Sequence, residues 1–382
     1  MKRAPTIGIE RNSQIDILRG LAILGVIACH TIVYTDRALV NHGGSPSNYA
    51  DWVISAGKYG VEVFFFVSGY LMQSLYGVDR KFSFRVFFAR RLGRILPLWV
   101  AFLFIDWHLL RNFGTGGAEA IKLVRDQGQF HIFSHSIIII ILSLSFTLFL
   151  SSNLWNTVIP GGWSIQAEMF HYLVFSLTRK FRRRTILIFL ASISTSTLAL
   201  ATFAKSVYFN SVCPTWILGV INAWIRLDIY STLIYFFLGV TFHYLLKRGV
   251  KSFQLAHFDL ILSITIAVST LALPLAFGTN IEAMGYLLAM VLLSYVVLPD
   301  SRFGKFTQRI GKFSYFIYFF EFPVLYLFFS IENGFKWHSP SNVLQIPLFI
   351  FVYIFTTFVC MFFGKFSYQY FERPLLRLAH KI

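Results

Sequence analysis

The stretch that decides the fold is IDILRGLAILGVIACH, residues 15–30. It has the apolar content of a membrane-spanning helix, yet it carries Arg19 near one end and His30 well inside. Eleven residues of α-helix rise roughly 16 Å and return almost to the same face. We therefore expect both side chains on one side of the helix at different depths. Ionisable groups inside a membrane usually line a cavity or face a partner.

The composition of the whole chain indicates the same environment. Of the 382 residues, 56% are hydrophobic and 13% are charged, whereas a soluble domain has about a quarter charged residues. The mean hydropathy is +0.63. These values predict an all-α polytopic membrane protein. The formal net charge of +17 is explained by basic cytoplasmic loops, so we expect no nucleic-acid partner. The three cysteines form no CxxC pair, and no metal cofactor is expected.

Eleven apolar segments are candidates for spans, and charge decides which of them cross. The run at 137–150 has 14 residues, fewer than the about 17 that a span requires. If it does not cross and the N-terminus is cytoplasmic, inner loops carry 25 Lys and Arg and outer loops carry 8. If it crosses, the cluster RKFRRR at 179–184 falls outside, against the positive-inside rule.

We therefore predict about ten transmembrane helices in a single domain over residues 1–382, with both termini cytoplasmic. The run at 137–150 is then a re-entrant or interfacial segment. The predicted spans lie near 15–35, 56–76, 92–110, 163–179, 184–204, 229–247, 257–277, 280–299, 313–331 and 343–364.

Carboxylates in the second, fourth and ninth spans are candidate site residues, and the fourth span also carries an imidazole. The fourth opens GGWSIQAEMFHYLVF, residues 161–175, in which Ser164, Glu168 and His171 are spaced i, i+4, i+7. This spacing puts them on one helix face, and such a face is typical of a wet cavity. In the ninth, Glu321 is a carboxylate without an obvious local partner.

The second span, GVEVFFFVSGYLM at 60–72, carries Glu62 near its outer end. Its Ser68 lies beside Gly69, and such a small-residue pair favours close helix packing. Glu62 is either an interfacial charge or part of a site.

Three arginines lie in FFARRLGRILP, residues 87–97, which we interpret as the loop before the third span. Arg90, Arg91 and Arg94 are either an ordinary positive-inside anchor or a phosphate site, for which guanidinium groups are well suited. Two interpretations also stay open in the first span. Arg19 can pair with Asp16 three residues earlier, and it either snorkels to the headgroups or takes part in a site. His30 either makes a structural hydrogen bond or takes part in a site.

These phrases together resemble the membrane-bound acyltransferase-3 family, which includes bacterial cell-surface polysaccharide O-acetyltransferases and Nod-factor acetyltransferases. The first span resembles the family's D-G-L-R-G phrase followed by a histidine. RRLGRILP resembles R-R-x-x-R-I-x-P, and WSIQAEMFHYLVF resembles W-S-L-x-x-E-x-x-F-Y-L. The phrases FEFPV and FERP near the C-terminus resemble the family's last two. The match covers essentially the whole chain in the right order.

The resemblance implies transfer of an acyl group, most often acetyl, from cytosolic acyl-CoA to a hydroxyl of an extracytoplasmic glycan or lipid-linked saccharide. It implies the bacterial inner membrane as the location. Arg19 and His30 match the family's essential pair, and Arg91 and Arg94, beside Arg90, match the motif associated with the acyl-CoA donor. The W-S-x-x-x-E motif is matched by Trp163, Ser164 and Glu168.

Three positions depart from the family pattern. Glu62 replaces the usual Asp, His171 stands where an aromatic residue is usual, and Glu321 stands where a histidine is frequent. We expect His30 either to activate the acceptor hydroxyl or to carry the acyl group transiently. Glu168 is expected to orient an imidazole or the sugar hydroxyl.

The main alternative is a proton-coupled secondary transporter or exporter, because ten spans with buried His and Glu are equally typical of that class. The sequence shows no inverted repeat, and a transporter does not explain the arginine cluster before span three. A non-catalytic membrane scaffold would leave the buried Glu168 and His30 unexplained.

Overall fold

The architecture is that of an all-α membrane protein. In the computed structural model the regular secondary structure of the described residues is helical, without a strand among them. The residues that the structure describes are 13–41, 53–54, 57, 59–77, 82–113, 141, 143–147, 159, 161–179, 229–248, 287, 289–291, 293–294, 299–334 and 345–375.

Seven long helices lie within the described ranges, and a π-helical turn at Tyr368–Glu372 follows the last of them. Over their described parts, three helices are long and apolar enough to cross a membrane: Ser13–Thr35, Arg302–Phe329 and Ile346–Leu375. The helices are α1 (Ser13–Asn41), α2 (Gly60–Tyr76), α3 (Phe84–Phe113), α4 (Trp163–Thr178), α5 (Ile229–Arg248), α6 (Arg302–Gly334) and α7 (Gln345–Ser367).

The predicted spans at 184–204 and 257–277 lie outside the described residues, and the one at 280–299 lies mostly outside them. The predicted re-entrant or interfacial segment at 137–150 also lies mostly outside them. The number of ten spans therefore stays a prediction. Each of the other seven predicted spans contains or overlaps one of α1 to α7. The helix of the third span is longer than predicted.

The third helix corrects the prediction of a loop at 87–97. α3 begins at Phe84, so Arg90, Arg91 and Arg94 are helical. Hydropathy marks where a segment leaves the bilayer, but arginine, alanine and leucine are good helix formers on either side of that boundary. Pro97 lies inside α3, where its ring removes the hydrogen bond to the carbonyl of Gly93.

Two close helix crossings depend on glycine. A Cβ on Gly311 of α6 would lie 1.9 Å from the carbonyl oxygen of Asp16, and one on Gly20 of α1 would lie 2.1 Å from that of Thr307. The backbones of α1 and α6 are therefore in direct contact, as small residues allow in membrane bundles. The α2–α5 crossing is built in the same way, since a Cβ on Gly69 would lie 1.7 Å from the carbonyl oxygen of Phe236.

We expect Gly311→Ala to destabilise the protein by about 1–3 kcal/mol, although alanine is the better helix former. The added methyl group meets backbone, so α1 and α6 must move apart. The thermal unfolding midpoint of the purified full-length protein in detergent measures the effect. Gly364→Ala is the matched control, because the nearest neighbours of its Cβ would be side-chain atoms, of Phe313 at 3.1 Å and of Phe316 at 3.4 Å. Equal midpoints for the two variants would contradict the close crossing.

Contacts between side chains give the relative directions of α2, α3 and α4. α2 and α4 run parallel, because Ser68 contacts Glu168 and Arg179 Nε donates to the carbonyl of Tyr76 at 3.0 Å. α3 is antiparallel to them, with Arg91 near Tyr172 and Trp99 near Gly162. The chain between α3 and α4 thus starts and ends at the same end of the bundle, as the ten-span prediction requires.

α1 and α6 also run parallel. Three pairs follow one another along both helices: Arg19 with Ser314, His30 with Glu321, and Tyr34 with Phe329. In the predicted topology both helices run from the cytoplasm outward. The parallel packing places a row of α6 side chains against the α1 face that carries Arg19 and His30.

Candidate active site

A narrow cavity lies among α1, α2, α3, α4 and α6, the helices that carry most of the predicted site residues. Its free volume is about 40 Å³, enough for a few water molecules. The polar residues that line it are Arg19, Ser68, Arg91, Arg94, Ser164, Glu168, Tyr172, Ser314, Tyr315 and Tyr318.

Glu168 of α4 is the acceptor at the centre of this cavity. Its Oε1 accepts hydrogen bonds from Ser68 Oγ, at 2.5 Å, and from the hydroxyl of Tyr172. Its Oε2 accepts a hydrogen bond from the hydroxyl of Tyr315. The carboxylate therefore connects α2, α4 and α6, and its side chain is buried. Bonds to an ionised acceptor are stronger than bonds between neutral groups.

Three arginines lie near Glu168 or near the two tyrosines that donate to it. Arg19 Nη2 donates to Ser314 Oγ at 2.9 Å and interacts electrostatically with Glu168 and with Asp16. Cζ of Arg94 lies 5.0 Å from the ring centroid of Tyr315. Cζ of Arg91 lies 5.7 Å from that of Tyr172. The described lining of the cavity thus contains three arginines and one carboxylate, so it carries excess positive charge.

The three arginines of α3 are not equivalent. Arg91 and Arg94 line the cavity, and Arg90 is not among the lining residues. Arg90 instead makes a side-chain hydrogen bond with Tyr76, which Arg91 also contacts. Nε of Arg91 is buried and has no hydrogen-bond partner in the described part of the chain. The Nε–H group of Arg91 is therefore available to donate a hydrogen bond to a group outside the described residues.

His30 lies outside this cavity lining and is paired with Glu321. His30 Nδ1 is 3.0 Å from Glu321 Oε1, and the His30 ring packs on Phe322 at 4.3 Å between centroids. A quarter of the His30 side chain is exposed, whereas Glu321 is completely buried. When Nδ1 carries the proton and donates a hydrogen bond to Glu321, Nε2 is unprotonated and can act as a base. Glu321 Oε2 has no hydrogen-bond partner among the described residues.

A short polar chain lies between the cavity and the histidine pair. Ser164 Oγ donates to the hydroxyl of Tyr318 at 2.8 Å, and that hydroxyl donates to the carbonyl of Gly161 at 2.9 Å. Gly161 has φ +74°, and a Cβ there would lie 3.2 Å from Phe322, the ring under His30. The turn before α4 thus contacts residues of both groups.

The other predicted site residues lie around the cavity without lining it. His171 is buried and its Nε2 is 3.2 Å from Thr232 Oγ1 of α5. Trp163 packs near Phe65, with 6.4 Å between ring centroids. Glu62 lies in the first turn of α2, where a negative charge interacts favourably with the helix dipole.

The sequence interpretation missed the two tyrosine hydroxyls that donate to Glu168, whereas Ser68 was among the predicted site residues. Tyr172 is four residues after Glu168 on the same helix, so the i, i+4 rule would have found it. Tyr315, Tyr318 and Ser314 belong to α6, far along the chain, and only the fold brings them to the cavity. The partner of Glu321 was missed for the same reason.

Comparison with known proteins identifies the family. The acyltransferase-3 family model, described as an acyltransferase domain, matches residues 12–365. The chain belongs to the acyltransferase-3 family. No curated protein and no solved structure matches it. As an acyltransferase-3 protein it is a membrane acyltransferase, and the matched region contains the arginine-lined cavity and the His30–Glu321 pair.

Proposed function

We propose that this acyltransferase moves an acyl group, acetyl in the first instance, from cytosolic acyl-CoA to a hydroxyl of an extracytoplasmic or membrane-linked glycan. The proposed location is the bacterial inner membrane, with both termini cytoplasmic. The observation that carries the proposal is the convergence of Arg19, Arg91 and Arg94 on one cavity, with His30 further along α1. Three guanidinium groups in one lining suit a phosphate-bearing donor.

The distance between the two groups suits the shape of the donor. Arg19 and His30 are eleven residues apart on α1, which is roughly 16 Å along the helix. In acyl-CoA the phosphates and the thioester lie at opposite ends of a long pantetheine arm. A donor whose phosphates contact the arginines therefore has its reacting carbon well away from them, toward His30.

His30 acts as a general base in the proposed reaction. Its Nε2 takes the proton of the acceptor hydroxyl while the hydroxyl oxygen forms a bond to the thioester carbon. The carbon–sulfur bond then breaks, and the proton passes from the imidazolium to the departing CoA thiolate. Glu321, which accepts a hydrogen bond from the Nδ1–H group, holds the ring in the required tautomer and stabilises the positive charge that develops on it.

Reconstituted protein tests the proposal. Purified full-length protein in liposomes is supplied with radiolabelled acetyl-CoA outside, and label is followed into a glycan extract of the cell envelope. Succinyl-CoA and a longer acyl-CoA are supplied in parallel. Label in the glycan fraction with at least one donor supports the acyltransferase. A folded protein that transfers no acyl group but moves protons across the liposome membrane would favour the proton-coupled transporter.

We expect Arg94→Gln to raise the KM for acyl-CoA by about tenfold to a hundredfold, the usual contribution of a hydrogen bond to a charged group, with a smaller change in kcat. The reason is that Arg94 is proposed to bind donor phosphate and not the reacting carbon. Arg85→Gln is the matched control, since Arg85 lies on the same helix but is exposed and outside the cavity lining. Equal KM values for the two variants would remove Arg94 from donor binding.

A further inference from the structure

A second, basic cleft lies between α6 and the C-terminal end of α7, apart from the candidate active site. Its volume is about 500 Å³. α6 contributes Arg309 and Lys312, α7 contributes Lys365, and Arg373 follows the π-helical turn. No residue is shared between its lining and that of the arginine-lined cavity.

The positive charge of this cleft is not balanced by its lining. The described residues that line it include no carboxylate. The nearest acid along the chain is Glu372, which accepts a hydrogen bond from Ser367 Oγ at 3.2 Å and interacts electrostatically with Arg94 and Arg19. The negative charge of Glu372 therefore interacts with arginines that line the other cavity. Arg309, Lys365 and Arg373 are exposed, so they are accessible to an anion.

Aromatic side chains border the same cleft. Lys312 Nζ lies 4.1 Å from the ring centroid of Tyr368, whose ring packs on Phe313. Tyr368 and Gln369 belong to the π-helical turn, a rare element that occurs frequently at functional sites. Beside it, α7 presents an outward apolar face. Its exposed aromatic residues are Phe351, Phe355, Phe358, Phe362, Phe363 and Phe366, and Tyr370 and Phe371 of the π-helical turn are exposed as well.

We propose that this cleft binds the phosphate-bearing headgroup of an anionic phospholipid, with the lipid's acyl chains along the exposed aromatic face of α7. Basic pockets between transmembrane helices at the cytoplasmic side bind such headgroups, and the predicted topology places this end of α6 and α7 there. A soluble anion would use the four cations but not the adjoining apolar face. The lipid accounts for both features.

Lipid retention by the purified full-length protein in detergent tests the proposal without any acyl transfer. Native mass spectrometry compares bound cardiolipin, phosphatidylglycerol and phosphatidylcholine. We expect the two anionic lipids to be retained in preference to phosphatidylcholine. Each removed charge should weaken their binding about fivefold, so the double variant Arg309→Gln, Lys365→Gln should lose most of it. The matched control is the double variant Arg302→Gln, Lys305→Gln. These two residues are exposed cations of α6 that do not line the cleft.

Three results would overturn the proposal: equal retention of phosphatidylcholine, equal loss in the two double variants, or displacement of the anionic lipid by soluble 3′,5′-ADP. The last result would assign the cleft to a nucleotide phosphate. Lys365→Arg keeps the charge and is expected to keep the lipid. Because the readout is bound lipid, failure here leaves the proposed acyl transfer untouched, and failure of acyl transfer leaves this result standing.

Discussion

His30→Gln is expected to lower the rate of acyl transfer by a factor of about a hundred to ten thousand, the usual contribution of a positioned general base. Glutamine keeps a polar group opposite Glu321, so the buried carboxylate retains a hydrogen-bond partner. It has no basic nitrogen, so the acceptor hydroxyl keeps its proton. Initial rates of label transfer in the liposome assay measure the effect, with the KM for acyl-CoA expected to change little.

Glu321→Gln tests the contribution of the Glu321 charge separately from that of the His30 ring. The amide accepts a hydrogen bond but carries no charge to stabilise the imidazolium, so we expect an intermediate loss and an altered pH dependence of kcat. His243→Gln is the matched control, because His243 of α5 is a half-buried histidine whose ring makes a T-shaped contact with Tyr70 of α2. Transfer at the wild-type rate by His30→Gln would remove His30 from the chemistry.

The local patterns of the sequence predicted the fold to a large extent. Apolar length located α1, α2, α4, α5, α6 and α7, because each of these segments carries its own signal. The start of α3 was missed, since the helix continues through the basic segment from Phe84. Hydropathy reports the solvent around a residue and not its backbone conformation, so it cannot mark the end of a helix that extends beyond the bilayer.

The candidate site was predictable only where its residues share a helix. The spacing on α4 placed Ser164 and Glu168 on one face, and both line the cavity. His171, predicted on the same face, is instead hydrogen-bonded to Thr232 of α5. The polar face of α4 is wide enough to border both the cavity and α5. Glu321 and His30 are 291 residues apart, and only the parallel packing of α1 and α6 brings them together.

The second large effect is expected for Glu168→Gln, in stability as well as in activity. The carboxylate accepts three hydroxyl hydrogen bonds from α2, α4 and α6. An amide has one acceptor oxygen, and its NH₂ group faces at least one hydroxyl that donates in the native protein. Hydrogen bonds to a charged group contribute about 1.5–3 kcal/mol each, so a loss of about 3 kcal/mol is expected. The neutral amide also leaves the nearby arginines without this negative charge.

The thermal unfolding midpoint of the full-length protein in detergent measures this loss. The variants Tyr172→Phe and Tyr315→Phe show how much of the loss each tyrosine hydroxyl accounts for. Each removes one hydroxyl from the carboxylate and is expected to lower the midpoint by less than Glu168→Gln does. Tyr353→Phe is the matched control, because Tyr353 is a half-buried tyrosine of α7 that does not contact Glu168.

If Glu168→Gln has the wild-type midpoint but transfers no acyl group, the carboxylate acts on substrate. If the midpoint and the activity per folded molecule both fall, it positions the helices that carry the arginines. A variant that is unchanged in both would exclude Glu168 from the site.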